Sequence, residues 1–149
     1  MSKKQPKRPD TAPQPVLKTG SYVWRDGSTY NGEYLETTID SIIHICRHGT
    51  GTFDNKDSGL SYSGGWLDDK FCGAGTIFYP DKGTYEGTWK DGLFHGQGTY
   101  IWPDGTRFEG EWNLGYPQGK GAVTTADGQK WNGAFADGKG FSLIPEIGV

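Results

Sequence analysis

The five histidines and cysteines of this chain are the residues a zinc site would want: His44, Cys46, His48, Cys72 and His95. His44, Cys46 and His48 alternate, so on a strand all three would share one face, but no fourth ligand accompanies them. His48, Cys72 and His95 each stand immediately before a G-x-G pair. If those positions are equivalent in successive strand pairs, they fall roughly 10 Å apart, two strand spacings. Zinc ligands converge at ~2.0–2.3 Å from one ion. These residues therefore make a column rather than a cage, and no metal site is expected. Catalysis would need a nucleophile with a base, or two carboxylates in a cleft. The serines and aspartates here sit mostly in turn-like segments, so neither a catalytic group nor a cofactor is expected. The G-x-G pairs open no helix that could present its N-terminus to a phosphate, which argues against a dinucleotide-type loop.

The glycines and aromatics carry the organisation. Tyr85 to Arg107 reads YEGTWKDGLFHGQGTYIWPDGTR, and the same template starts at Tyr62, Phe108 and Trp131, in steps of 23. Such a period marks a repeat architecture. A further copy starts at Tyr30, 32 residues before Tyr62, with nine added residues mostly within Leu35 to Arg47. Gly20 to Gly27 lines up with Gly98 to Gly105, so the array opens on half a unit. Glycine accounts for 25 of 149 residues and aromatics for 14%, a balance that favours tight turns and strands over helices.

On strands, Tyr85, Gly87 and Trp89 share a face, as do Gly98, Tyr100 and Trp102. Joining the strands through a Lys90 to Gln97 loop predicts Trp89 opposite Gly98, Gly87 opposite Tyr100, and Tyr85 opposite Trp102. The next strand repeats the rule, with Trp102 meeting Phe108, Tyr100 meeting Gly110 and Gly98 meeting Trp112. Each glycine is then a slot for a ring. Asp91-Gly92 and Pro103-Asp104-Gly105 supply residues suited to tight turns. Glu86, Thr88, Thr99, Ile101, Glu109 and Glu111 fall on the opposite face, which is expected to be polar, acidic and exposed. LETTIDSIIHICR reads as a hairpin lengthened on both arms, with Ile42, His44 and Cys46 on one side and Ile43 and Ile45 on the other.

The recurrence of Y-x-G-x-W-x-x-G-x-x-x-G-x-G with a PDG-like turn, from Gly20 to about Gly138, resembles the MORN (membrane occupation and recognition nexus) repeat family. The chain is similar to small, repeat-only members. Departures lie at Leu35 to Arg47, at Asp69 in place of a turn glycine, and in the lost end of the unit at Trp131. The resemblance implies an all-β, single-layer, elongated antiparallel meander of hairpins. About four and a half repeats of 23 residues would form a ribbon of roughly 43 Å.

Three regions are expected. Residues 1–19 are basic and proline-rich, with Pro6, Pro9, Pro13 and Pro15 and a charge of +4, against -7 for the remainder of a chain whose net charge is -3. Such a segment is expected to be disordered alone. Residues 20–140 are the array, and residues 141–149 a cap or docking tail. No apolar run is long enough to span a bilayer and no signal-peptide pattern opens the chain, so a soluble intracellular protein is expected. Cys46 and Cys72 follow no disulfide or CxxC pattern, which suits free thiols. An acidic body argues against nucleic acid.

The reading is a non-enzymatic scaffold that binds a protein segment on its aromatic-glycine face. The resemblance points to a ciliary or flagellar axoneme or another cytoskeletal assembly. Tyr62, Trp66, Tyr85, Trp89, Tyr100, Trp102, Phe108, Trp112 and Trp131 are the expected contact stripe; the same rings could instead only hold the sheet together. Ile43, Ile45, Lys3, Lys4, Lys7 and Arg8 are secondary contacts, the four basic residues towards tubulin. The alternative is peripheral binding to anionic phospholipid through that tail, at about 1 kcal/mol per basic residue near the surface.

Overall fold

The computed structural model describes residues 14–146. Eleven strands, β1 (Val16–Val23), β2 (Thr29–Ile39), β3 (Ile42–Asn55), β4 (Leu60–Leu67), β5 (Lys70–Phe78), β6 (Thr84–Lys90), β7 (Leu93–Ile101), β8 (Arg107–Asn113), β9 (Tyr116–Thr124), β10 (Lys130–Ala136) and β11 (Lys139–Pro145), form one sheet. Each strand pairs antiparallel with its chain neighbours, in the order β1 to β11. The all-β single-layer meander is the fold. Its extent differs from expectation at both ends. Val16 to Thr19 belong to β1 rather than to a tail, because the lengthened arm of β2 gives them partners: Val16 pairs with Glu36 and Leu17 with Leu35. Residues 139–145 form a strand on β10, completing the last hairpin.

Two kinds of turn alternate along the ribbon. On one edge lie two-residue turns at Asp40–Ser41, Asp68–Asp69, Asp91–Gly92, Leu114–Gly115 and Asp137–Gly138, every residue with positive φ. Two consecutive left-handed residues match the right-handed twist of the flanking strands, so these hairpins close tightly. On the other edge, Trp102 N donates to Thr106 O at 2.8 Å, and Asp104 accepts from Thr106 N at 2.8 Å. The loops after β1, β5 and β9 close the same way, Tyr79 N donating to Gly83 O at 2.8 Å. The two-residue turns also tie each hairpin to the one before: Gly92 N donates to Phe71 O at 3.0 Å and Gly115 N to Phe94 O at 2.9 Å.

The strand register differs from the expected one by two residues, and by four at Trp89. Tyr85 pairs with Tyr100, Gly87 with Gly98 and Trp89 with Phe94; on the next strand Tyr100 pairs with Phe108, Gly98 with Gly110 and Gly96 with Trp112. The Lys90 to Gln97 segment is a two-residue turn followed by strand. Between Gly87 and Trp89 the register slips, and β7 takes up two more residues than β6 in a bulge that contains Gly96 at φ 66°. The same slip recurs after Gly32, Gly64 and Gly110, with Gly49, Gly73 and Gly119 at φ 66–70°. The two glycines of each G-x-G thus do different jobs. The first adopts the bulge conformation, and the second pairs with another glycine where strands and a ring come close.

Candidate functional site, an aromatic face

Tyr85 is fully buried, although nothing but one sheet surrounds it. Its ring runs along its own strand and covers the Gly87–Gly98 pair, so that a Cβ on Gly98 would lie 2.6 Å from Tyr85 Cζ. Its hydroxyl donates to Thr88 O at 3.0 Å. Phe94 stacks on it at 3.8 Å and 17°. Tyr62 and Phe71 repeat that stack at 3.8 Å and 21°. Trp66, Trp89 and Trp112 then wedge edge-on between the ring of their own unit and that of the preceding one: Trp89 lies 5.1 Å from Tyr85 and 5.5 Å from Tyr62, and Trp112 5.2 Å from Phe108 and 5.4 Å from Tyr85. Edge-to-face contacts at these separations contribute beyond area burial, about 0.5–1.5 kcal/mol each. The indole N–H groups are satisfied across the sheet, Trp66 donating to Gly51 O at 3.1 Å, Trp89 to Gly75 O at 3.0 Å and Trp112 to Gly98 O at 3.0 Å. Burial pushes the Tyr30 and Tyr85 phenols up to about 12 and raises that of Tyr62 as well.

The ring pile changes character at each end. Beside Tyr30 the position filled by Phe71 and Phe94 is Arg47, paired with Tyr34. Its guanidinium lies 4.3 Å from the Trp66 ring centroid and 5.6 Å from that of Phe53. Asp69 accepts from Arg47 N at 3.0 Å and from Arg47 Nε at 2.8 Å. Burial alone would raise the Asp69 carboxyl, but those hydrogen bonds and the Arg47 charge hold it below its usual range. The aspartate that departs from the repeat pattern is therefore the counter-ion of an arginine that stands in for a stacking ring. At the other end the same position is Pro117, opposite Trp112. No ring fills the space over Phe108, and a groove of about 390 Å³ opens between Phe94, Tyr100, Trp102 and Trp112 on one side and Pro117, Val123 and Phe135 on the other.

Residues 62–84, 85–107 and 108–130 each match the MORN repeat. These three units are MORN repeats. Repeats of this kind suggest a module that binds protein or membrane. No curated protein matches the chain. Among solved structures, the chain is similar to the TCP domain of SAS-4 (dCPAP) of Drosophila melanogaster, determined in complex with a Proline Rich Motif of Ana2 (dSTIL), at 14% identity over 100% of this chain and 98% of that one. The TM-score is 0.32, and the likeness carries no argument about partner or mechanism.

The MORN geometry divides the expected contact stripe. Tyr62, Trp66, Tyr85, Trp89, Phe108 and Trp112 are at most 5% exposed. Their rings form the molecule's own core, so a partner cannot reach them; the sheet covers one face with its own side chains rather than with a partner. Tyr100 and Trp131 are half-buried, and Trp102 is 37% exposed. Four exposed aromatics lie outside the expected stripe, Trp24, Phe78, Tyr116 and Phe141, at 42%, 51%, 62% and 52%. Trp24 had a signal in the sequence, since it occupies the template position of Trp102. Ile43 and Ile45 are exposed on the lengthened hairpin, whose β2 and β3 arms pair from Leu35–Cys46 to Ile39–Ile42. Lys3, Lys4, Lys7 and Arg8 lie outside the described residues. On the opposite face Glu86, Thr88, Ile101 and Glu111 are exposed, while Thr99 and Glu109 are half-buried.

The potential metal ligands stay apart. No group of three or more His, Cys, Asp or Glu side chains able to hold an ion occurs among the described residues. His48 stands beside the turn of the next hairpin, its Nδ1 3.6 Å from Asp68 Oδ1. Burial, then the Asp69 charge, raises the Cys46 thiol to about 11, which leaves little reactive thiolate near neutral pH.

Proposed function

We propose that the protein is a non-enzymatic scaffold whose aromatic face holds a segment of a partner protein, within a cytoskeletal assembly such as a ciliary or flagellar axoneme. The observation that carries the binding reading is a set of accessible rings around a buried ring pile: Trp24, Trp102 and Tyr116 are exposed, and Tyr100 is half-buried against the pile. Tryptophan and tyrosine held this way lose little entropy on contact and dominate interface energetics. The cytoskeletal setting rests on the family resemblance alone.

The test is co-sedimentation of the full chain with microtubules and with an axonemal protein fraction. The wild type is expected in the pellet, and Trp24→Ala/Trp102→Ala, with an unchanged unfolding transition, in the supernatant. Equal pelleting of both would remove the aromatic face from the reading. Flotation with phosphatidylserine vesicles addresses the membrane alternative. Strong flotation of a chain with Lys3, Lys4, Lys7 and Arg8 all changed to alanine would place lipid binding on the sheet and displace the scaffold reading.

A further inference from the structure

Two departures from the repeat template line one groove, and a third stands in the turn beside it. Pro117 replaces the stacking phenylalanine, Phe108 replaces the tyrosine, and Leu114 replaces the aspartate that opens four of the five two-residue turns. Leu114 is 57% exposed with φ 47°, a conformation unfavourable for a leucine. The result is an uncharged groove across the ribbon, with Trp102 at one end and Gly115, Tyr116 and Gly138 at the other. Exposed Asp104 and Asp137 stand beside its two ends.

We propose that this groove receives the N-terminal segment, residues 1–13, of a second copy of the chain, so that copies associate head to tail. The segment carries Pro6-Lys7-Arg8-Pro9, preceded by Lys3 and Lys4. Prolines three apart fall on one edge of a polyproline II helix, and aromatic-lined grooves recognise that edge. The basic residues around the prolines complement Asp104 and Asp137. Length decides between the same chain and another. The groove begins at β7, six strand spacings or roughly 29 Å from β1. Pro9 precedes Val16 by seven residues, which span roughly 25 Å even when fully extended. The segment therefore cannot lay Pro9 in its own groove. A contact between unlike surfaces does not close on itself in a pair, so the product is an open chain of copies.

The inference rests on the aromatic face being a docking surface, and its test is independent of the partner experiment, since a chain that stays monomeric can still pellet with microtubules. Sedimentation velocity of the full chain across a wide concentration range is expected to show mass increasing beyond the dimer. Pro6→Ala/Pro9→Ala, which removes only the ligand, and Pro117→Phe, which refills the groove with the ring found at Phe71 and Phe94, should each raise the concentration for half-association at least tenfold. Trp102→Ala takes the place of Pro117→Phe if the latter fails to fold. Mixing the two variants supplies one intact groove and one intact segment, and should restore association that stops at dimers. A wild type that remains monomeric, association that survives either variant, or a mixture that stays monomeric would overturn the proposal.

Discussion

The division of labour within G-x-G can be tested at Gly96 and Gly98, because the two should fail for different reasons. Gly98 needs no unusual backbone angle, but an alanine Cβ there would lie 2.6 Å from Tyr85 Cζ. That ring cannot yield, being stacked on Phe94 at 3.8 Å with the edges of Trp89 and Trp112 at 5.1 and 5.4 Å. Overpacking costs about 1–3 kcal/mol, and displacing the ring also breaks the Tyr85–Thr88 hydrogen bond, worth about 1 kcal/mol. Gly98→Ala should therefore cost about 2–4 kcal/mol. Gly96 has space, its Cβ falling 3.4 Å from Thr88 Cβ, but sits at φ 66°, where a side chain costs about 1–2 kcal/mol. Asparagine separates the two causes, because it tolerates left-handed angles and is larger than alanine. In urea unfolding followed by tryptophan fluorescence, Gly96→Asn should recover much of the loss seen in Gly96→Ala. Gly98→Asn should be worse than Gly98→Ala. Gly98→Ala combined with Tyr85→Ala should be sub-additive by at least about 1 kcal/mol, since the first change collides with what the second removes. Additive losses, or an asparagine at position 98 better tolerated than alanine, would refute the assignment.

Trp89→Phe should cost about 1–3 kcal/mol by leaving Gly75 O without its indole donor, whereas Trp102→Phe at an exposed site should stay within about 0.5 kcal/mol; thermal or urea melts compare them. Asp69 has a folded-state carboxyl below its usual value, so its stabilising effect is complete above the ordinary carboxylate range near about 4 and fades as pH falls through the depressed value. The stability advantage of wild type over Asp69→Asn should shrink across that acid window, and a constant difference would exclude the linkage. Tyr30 and Tyr85 are raised to about 12, so the stability linked to their neutral form is present below the ordinary phenol value and lost as pH rises towards 12. Absorbance of the phenolates should appear together with unfolding, rather than as a free titration near about 10.

The period of 23, the parity of the faces and the positions of both turn types were legible because each depends on residue type at a fixed spacing. The register was not. Gly96 and Gly98 are the same letter, and nothing in the sequence separates a glycine chosen for a left-handed angle from one chosen for the absence of a Cβ. Placing all of Lys90 to Gln97 in a loop hid the bulge and moved Trp89 four residues along its partner, from Phe94 to Gly98. The contact stripe suffered from the same ambiguity: a ring over a glycine looks available in a flat sheet, but Tyr85 covers its own strand and Trp89 leans back to the preceding unit. Asp69 looked like a lost glycine until its partner, 22 residues away, was placed beside it.

A regular unit of this kind closes on itself. Tyr, Gly-Gly and Phe form a stack, the tryptophan locks it to the unit before, and little of that arrangement is left over for a ligand. The proposed recognition therefore draws on units in which the stack is incomplete. Arg47 breaks it at one end but is neutralised by Asp69 and capped by Trp24, Phe53 and Trp66. Pro117 breaks it at the other with nothing in place of the missing ring, and Leu114 adds an exposed apolar turn beside the gap. Restoring the template there, with Pro117→Phe and Leu114→Asp, should leave the fold intact or firmer while erasing the docking surface. Removing Trp89 should erase the fold and the surface together. The two outcomes would differ because in this sheet stability lies in the repeats that agree, whereas the proposed self-association draws on the one that does not.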